Sequence, residues 1–285
     1  MNWISDNNIL IVGLGLMGGS YAKGLKRLGY KVEAIDTKES SIEYAINNGL
    51  IDNGYAYPDE NAIRKADAII FALYPGIIKE WIEKYQHLFK YGVRITDVTG
   101  VKSCIVYDIQ KMLRDDIEFV PSHPMAGREV YGVENADDAM FRGANFIVAP
   151  TDKNTKEGIE WCKSLGKVLG FRKISVLTPE EHDDMIGFVS QLTHVIAVSL
   201  MTCSDNTHLV DYTGDSFRDL TRIASINEEM WSELFHMNKD ALLKHMDDFI
   251  GEMSEFRDLL AADDIEGMKD KMRLSTKRHS YFIKK

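Results

Sequence analysis

The stretch Asn8–Ser20 reads NILIVGLGLMGGS. Its first part, Ile9-Leu10-Ile11-Val12, has the length and β-branched content of a buried strand. Gly13, Gly15 and Gly18 follow in the spacing G-x-G-x-x-G, and Leu16, Tyr21, Leu25 and Leu28 then recur at roughly helical intervals. In a strand–turn–helix of this kind the first glycine permits the tight turn. The second lets the backbone approach a pyrophosphate, and the third lets helix and strand pack closely. The free N–H groups of the helix start and its positive dipole end then face the phosphates. A second apolar run, Val32 to Ile35, ends in Asp36, where an acidic side chain is placed to bond a ribose 2′-hydroxyl and repel a 2′-phosphate. The pattern predicts a dinucleotide site that prefers NAD, built on Gly13, Gly15, Leu16, Met17, Gly18 and Asp36.

Strand and helix patterns alternate after this. Ala68–Leu73, Arg94–Thr99, Ile117–Val120, Asn145–Ala149 and Lys173–Leu177 read as strands, and Glu39–Asn48 and Ile77–Phe89 as helices. Such alternation predicts an α/β, Rossmann-type, mostly parallel sheet with ligands gathered at strand carboxyl ends. Leu73, Tyr74 and Thr99 are therefore further cofactor candidates, and His123 falls in a loop just past a strand. An imidazole there suits proton transfer near neutrality; a histidine bonded within its own loop is the alternative. From Thr178 the strand signals stop. Thr178-Pro179-Glu180-Glu181 is a helix start, and the apolar spacing becomes helical to the end. The expected division is residues 1–177, nucleotide-binding, and 178–285, an all-helical substrate and dimerisation domain. Leu242, Met246, Phe249, Met253, Phe256 and Leu260 form a heptad-like seam, either internal or a dimer surface.

The chain of 285 residues carries a formal net charge of -10, which argues against a nucleic-acid partner but not against a small anionic ligand held by a few local cations. Its three cysteines form no C-x-x-C pair and suit a reducing compartment. No basic leader precedes the first apolar run, and the apolar run near Ile69–Leu73 is too short to span a bilayer, so a cytoplasmic protein without membrane partners is expected. Arg218 and Arg222, four apart, would share one helical face. Either a bound carboxylate or pairing with Asp215 and Asp219 would relieve their repulsion. His194 has apolar neighbours and reads equally as a core histidine.

Several blocks taken together resemble the prephenate dehydrogenase family: GLGLMGGS at Gly13–Ser20, DVTGVK at Asp97–Lys102, SHPMAGRE at Ser122–Glu129, EEHD at Glu180–Asp183, SQLTH at Ser190–His194, and FRDLTRIA at Phe217–Ala224 with Trp231 downstream. The resemblance implies oxidation of prephenate with NAD and loss of CO2 to give 4-hydroxyphenylpyruvate; a homodimer through the helical half is a separate expectation. It implies that His123 accepts the proton of the ring alcohol and that Arg222 binds a substrate carboxylate. His194 would be a second active-site histidine, with Glu129, Arg218 and Trp231 lining the pocket. Lys102 is a further candidate cation for the dianionic substrate. Two departures stand out: Gly100 replaces a frequent serine, and SQLTH replaces SHLPH. Arogenate, or a β-hydroxyacid or imine substrate on a similar frame, is the competing reading.

Overall fold

The computed structural model describes residue 3 and residues 7–282. Its first part runs β1 (Asn8–Val12), α1 (Leu16–Arg27), β2 (Lys31–Ile35), α2 (Glu39–Asn47), β3 (Asn53–Tyr55), α3 (Glu60–Lys65), β4 (Ala68–Phe71), α4 (Pro75–Tyr85), β5 (Arg94–Asp97), α5 (Ser103–Met112) and β6 (Glu118–Phe119). The six strands form one sheet in the order β3-β2-β1-β4-β5-β6, parallel throughout. The order reverses between β1 and β4, which opens a crevice at their carboxyl ends. Side-chain alternation builds a core on each face. Ile9 and Ile11 join Tyr21, Leu25 and Trp161 on one side, while Leu10 and Val12 join Ile78, Ile82 and Ile105 on the other.

A second, three-stranded sheet follows, ordered β7-β8-β9 from β7 (Ser122–Met125), β8 (Asn145–Val148) and β9 (Lys173–Val176), with α6 (Lys156–Val168) before β9. Here β7 runs antiparallel to β8, with His123 opposite Ile147. Two expectations change. His123 sits in a strand rather than a loop, and the late strands leave the parallel sheet to make a small mixed one. Pro124 obscures β7 in the sequence, because proline is confined to edge strands, and β7 is an edge.

From Thr178 onward the described chain is helical: α7 (Pro179–Ile186), a π-helical turn (Gly187–Leu192), α8 (Thr193–Thr202), α9 (Asp215–Thr221), α10 (Glu228–Met237), α11 (Lys239–Ala261) and α12 (Ile265–His279). Thr178 and Glu181 make a reciprocal capping box that starts α7 where the strands end. Pro179–Thr202 is long and apolar enough to cross a membrane by length and composition alone, which the short-run argument from the sequence overlooked. Its first turns are nevertheless locked into protein by His182 and Asp183, both buried. Along α11 the apolar seam begins buried at Leu242 and is exposed by Met253 and Leu260.

A Cβ at Gly18 would lie 1.9 Å from the Gly13 carbonyl oxygen, whereas one at Gly15 would meet nothing within 4 Å. Without nucleotide, Gly18→Ala should lower the melting temperature by about 4–10 °C, from an overpacking cost of about 1–3 kcal/mol. Gly15→Ala should leave it within about 1 °C. Equal shifts in a thermal scan of the two variants would contradict this geometry.

Candidate functional site

At the head of the crevice, Gly13 adopts φ +99°, and a Cβ there would lie 2.3 Å from the Ala72 carbonyl oxygen. Only glycine fits this approach of the β1 turn to the end of β4. Helix α1 begins at Gly15 with no side-chain cap and no acid in its first turn. Its N-terminal amides and the open space at Gly15 form a cradle that fits a pyrophosphate. Asp36, at the end of β2, accepts hydrogen bonds from the Leu14 amide at 2.6 Å and the Lys38 amide at 2.8 Å. Its carboxylate is thus fixed beside the glycine turn, as a ribose-binding acid requires. Leu73 and Tyr74 follow β4, and Tyr74 is exposed at the start of α4. There the Gly76 amide donates to Glu233 of α10 at 2.9 Å.

The floor beneath β5 is ionic and dry. Lys102 and Asp97 are both 0% exposed, with Nζ 2.6 Å from Asp97 Oδ2. Nζ also donates to the Thr99 carbonyl at 3.0 Å and the Thr99 hydroxyl at 2.9 Å. The Thr99 hydroxyl lies within hydrogen-bond distance of both Asp97 Oδ2 and the Val101 carbonyl, and its single proton is directed at these two acceptors. This bears on two of the candidate residues. Lys102 offers no free cation to a ligand, and the Thr99 hydroxyl turns inward, away from the crevice. A sequence reveals that a lysine is present but not that a carboxylate five residues earlier is folded against it. Asp97 Oδ1 accepts from the Ser122 amide at 3.0 Å, so the same carboxylate anchors the start of β7.

One residue along β7, His123 Nδ1 lies 2.9 Å from His182 Nε2. His182 Nδ1 lies 2.7 Å from Asp183 Oδ1. Asp183 also accepts the Lys102 amide at 2.8 Å and the Ser103 amide at 2.7 Å. The carboxylate from α7 therefore caps the N-terminus of α5. Burial holds the His123 imidazole well below its ordinary pKa, helped by His182 and by the Lys102 charge. Burial also lowers His182, against the pull of Asp183. Burial opposes ionisation of Asp183, but His182 and the Ser103 amide outweigh it and keep the carboxyl below the usual aspartate range. Sequence reasoning assigned His182 no role; its only local signal was the adjacent Asp183 within EEHD.

A second cluster comes from the helical half and the loop after β7. His194 stacks on Trp231 with ring centroids 3.7 Å apart, and its Nδ1 donates to the Ser190 carbonyl at 2.8 Å. Burial lowers its pKa; Arg222 adds to this and Glu129 opposes it. Arg222, just after α9, pairs with Glu129 at 2.6 Å, and both are solvent-accessible. Arg218 turns instead to Asp215 at 3.2 Å and the Thr213 carbonyl at 3.4 Å. Thus Arg218 takes one of the two acidic partners suggested by the sequence, while Arg222 reaches across to the first half of the chain. Gly100 lies between β7 and α10: a Cβ there would sit 3.5 Å from Leu234, one turn beyond Trp231 on α10, and 3.9 Å from His123 Cε1.

The parallel sheet, its glycine turn and the buried imidazole pair define a Rossmann-fold oxidoreductase. Residues 21–175 match the model for the prephenate dehydrogenase nucleotide-binding domain, and residues 178–274 match that for the prephenate dehydrogenase dimerization domain. The chain belongs to the prephenate dehydrogenase family, which takes in prephenate, arogenate and cyclohexadienyl dehydrogenases. It is 31% identical over 276 residues to prephenate dehydrogenase of Bacillus subtilis, covering 94% of this chain and 74% of that one. It is 28% identical to cyclohexadienyl dehydrogenase of Zymomonas mobilis, covering 95% and 94%. Prephenate dehydrogenase of Aquifex aeolicus, solved with hydroxyphenyl propionate and NAD+, superposes with a TM-score of 0.88 at 29% identity, over 98% of this chain and 99% of that one.

The dry floor makes a stability prediction. Lys102→Met should reduce unfolding free energy by about 3–5 kcal/mol, because it strands a buried carboxylate. A urea midpoint unchanged from the parent would show that the pair is not closed in solution.

Proposed function

We propose that this chain is an NAD-dependent prephenate dehydrogenase of tyrosine biosynthesis. It oxidises the ring C4 alcohol of prephenate, releases the ring carboxylate as CO2, and yields 4-hydroxyphenylpyruvate. The observation that supports this reading is the approach at Gly100 of the buried His123 imidazole from β7 and Leu234 of α10, the helix that also carries Trp231 and its contact with His194. NAD, when bound in the glycine cradle, supplies the acceptor for the C4 hydride. Gly13, Gly15, Leu16, Met17 and Gly18 would hold its pyrophosphate, Asp36 its ribose, and Leu73 and Tyr74 the far wall. The preference for NAD over NADP rests on the Asp36 carboxylate.

His123 accepts the hydroxyl proton as the alcohol is oxidised. Its lowered pKa keeps it neutral, and so able to accept, at ordinary pH. Arg222 binds a substrate carboxylate by exchanging Glu129 for it, and an exposed pair of this kind is weak enough to open. A charge-assisted bond to the substrate would contribute roughly 1.5–3 kcal/mol. His194 and Trp231 form the wall against the ring, with Arg218 at the rim. The chain divides at Leu177/Thr178 into a nucleotide domain and a helical domain. The helical domain pairs with a second copy through apolar residues left exposed on α8, α11 and α12, such as Met201, Met253 and Met272. We place the protein in the cytoplasm, as a soluble biosynthetic enzyme.

The decisive experiment follows NADH formation from prephenate, with arogenate and NADP as parallel arms. Turnover should be fastest with prephenate and NAD. His123→Asn should lower kcat by about 10²–10⁴-fold with NAD binding retained. Near-normal turnover in that variant would overturn the role of His123. Arg222→Ala should raise KM for prephenate at least about tenfold; an unchanged KM would leave Arg222 as a partner of Glu129 only. Because the neutral form of His123 persists below the ordinary imidazole value of about 6.5, kcat/KM should stay level as pH falls through 6.5 and decline only at lower pH. An acid limb centred at or above 6.5 would contradict this.

A further inference from the structure

His182 touches neither crevice nor solvent, yet it lies between the one buried carboxylate of α7 and the imidazole of β7. Hydrogen-bond bookkeeping fixes what it does. An ionised carboxylate only accepts, so at 2.7 Å from Asp183 Oδ1 the His182 Nδ1 must be the donor. In a neutral imidazole the other nitrogen is then an acceptor. His182 Nε2 therefore receives a proton from His123 Nδ1 at 2.9 Å. That leaves the lone pair of neutral His123 on Nε2, to which, among the described residues, no protein group hydrogen-bonds.

We propose that His182 is a positioning residue: held by Asp183, it forces His123 into the tautomer protonated on Nδ1, so that Nε2 is always the proton acceptor. The ordering travels from a fixed backbone. Asp183 cannot rotate to present a donor, because its two oxygens are engaged by the Lys102 and Ser103 amides at the start of α5. The charged groups facing the imidazole pair are Asp97 from β5, Lys102 just before α5, and Asp183 from α7. Lys102 is fully engaged with Asp97 and Thr99, so it offers His123 no competing donor. An imidazole without His182 is free to carry its proton on either nitrogen, and only one of the two forms accepts at Nε2. The arrangement differs from a carboxylate bound directly to the catalytic imidazole, because the orienting charge stands one ring further away.

This inference rests on the reading of His123 as proton acceptor, and the test separates the two. In ¹⁵N-histidine-labelled protein at pH 7.5, with the His123 resonances identified by their loss in His123→Asn, Nδ1 should carry the proton and Nε2 the lone pair. Protonated Nε2 on His123 would overturn the proposal, without need of any variant at position 182. In the NADH assay, His182→Ala should lower kcat by about 10²–10⁴-fold, as when a catalytic imidazole loses its orienting partner, with KM for prephenate within about threefold. The spectrum of His182→Ala should show both tautomers of His123. His182→Gln, whose amide oxygen can accept from His123 Nδ1, should recover kcat to within about tenfold of the parent. Full activity in His182→Ala, or no recovery by a folded His182→Gln, would reject the positioning role while leaving His123 in place. Retained turnover in His123→Asn would instead reject the underlying reading.

Discussion

The Asp183 carboxylate holds this structure together at the point where chemistry is expected. It is buried, and an unpaired carboxylate there would be several kcal/mol unfavourable. Two backbone amides at the start of α5 and the ring of His182 satisfy it, and the positive end of the α5 dipole adds to their effect. These partners come from the nucleotide-binding half and from α7, so one group both docks the helical half and orients the imidazole beside it. Glu233 does a related job at the start of α4. Of the three helices that begin at the carboxyl edges of β1, β4 and β5, two are thus capped by acids from the helical half. The third, α1, has no side-chain cap, and it is the one that carries the glycine turn.

The electrostatics follow from that docking. A chain of net charge -10 carries more acids than bases, yet its family binds a dinucleotide and a prephenate-like substrate. The solution is spatial rather than compositional. Lys102 neutralises Asp97 inside the floor, the first amides of α1 carry no acidic side chain as a cap, and Arg222 is paired with Glu129 at an exposed position. Burial is the largest cause that lowers the three histidines, and the charges of Lys102 and Arg222 add to it.

Much of this was legible in the sequence wherever the cause is local. The β1–α1 turn was readable because the strand, the three glycines and the helix periodicity lie within twenty residues. The start of α7 was readable because proline and the capping box are adjacent. Short elements escaped: β3 has three residues and contains Gly54, α3 is a six-residue helix, and β7 contains Pro124. Helix α5 carried a readable stripe, Ile105, Val106 and Ile109, directly after a glycine turn, and was passed over. The partners of charged groups escaped for a deeper reason. His123 and His182 are 59 residues apart, and Arg222 and Glu129 are 93. No spacing rule links them; only the folded topology does. Lys102 shows the converse, a nearby partner that removed it from the surface, where the sequence alone had left it free.

The two ion pairs of the site should respond differently to ionic strength. Lys102–Asp97 is sealed from solvent at 0% exposure on both sides, beyond the reach of mobile counter-ions. Arg222–Glu129 is 65% and 40% exposed, so it sits inside the ion atmosphere, where screening falls to a length of about 8 Å at physiological salt. Concentrated electrolyte would loosen the mouth of the crevice while leaving its foundation unmoved.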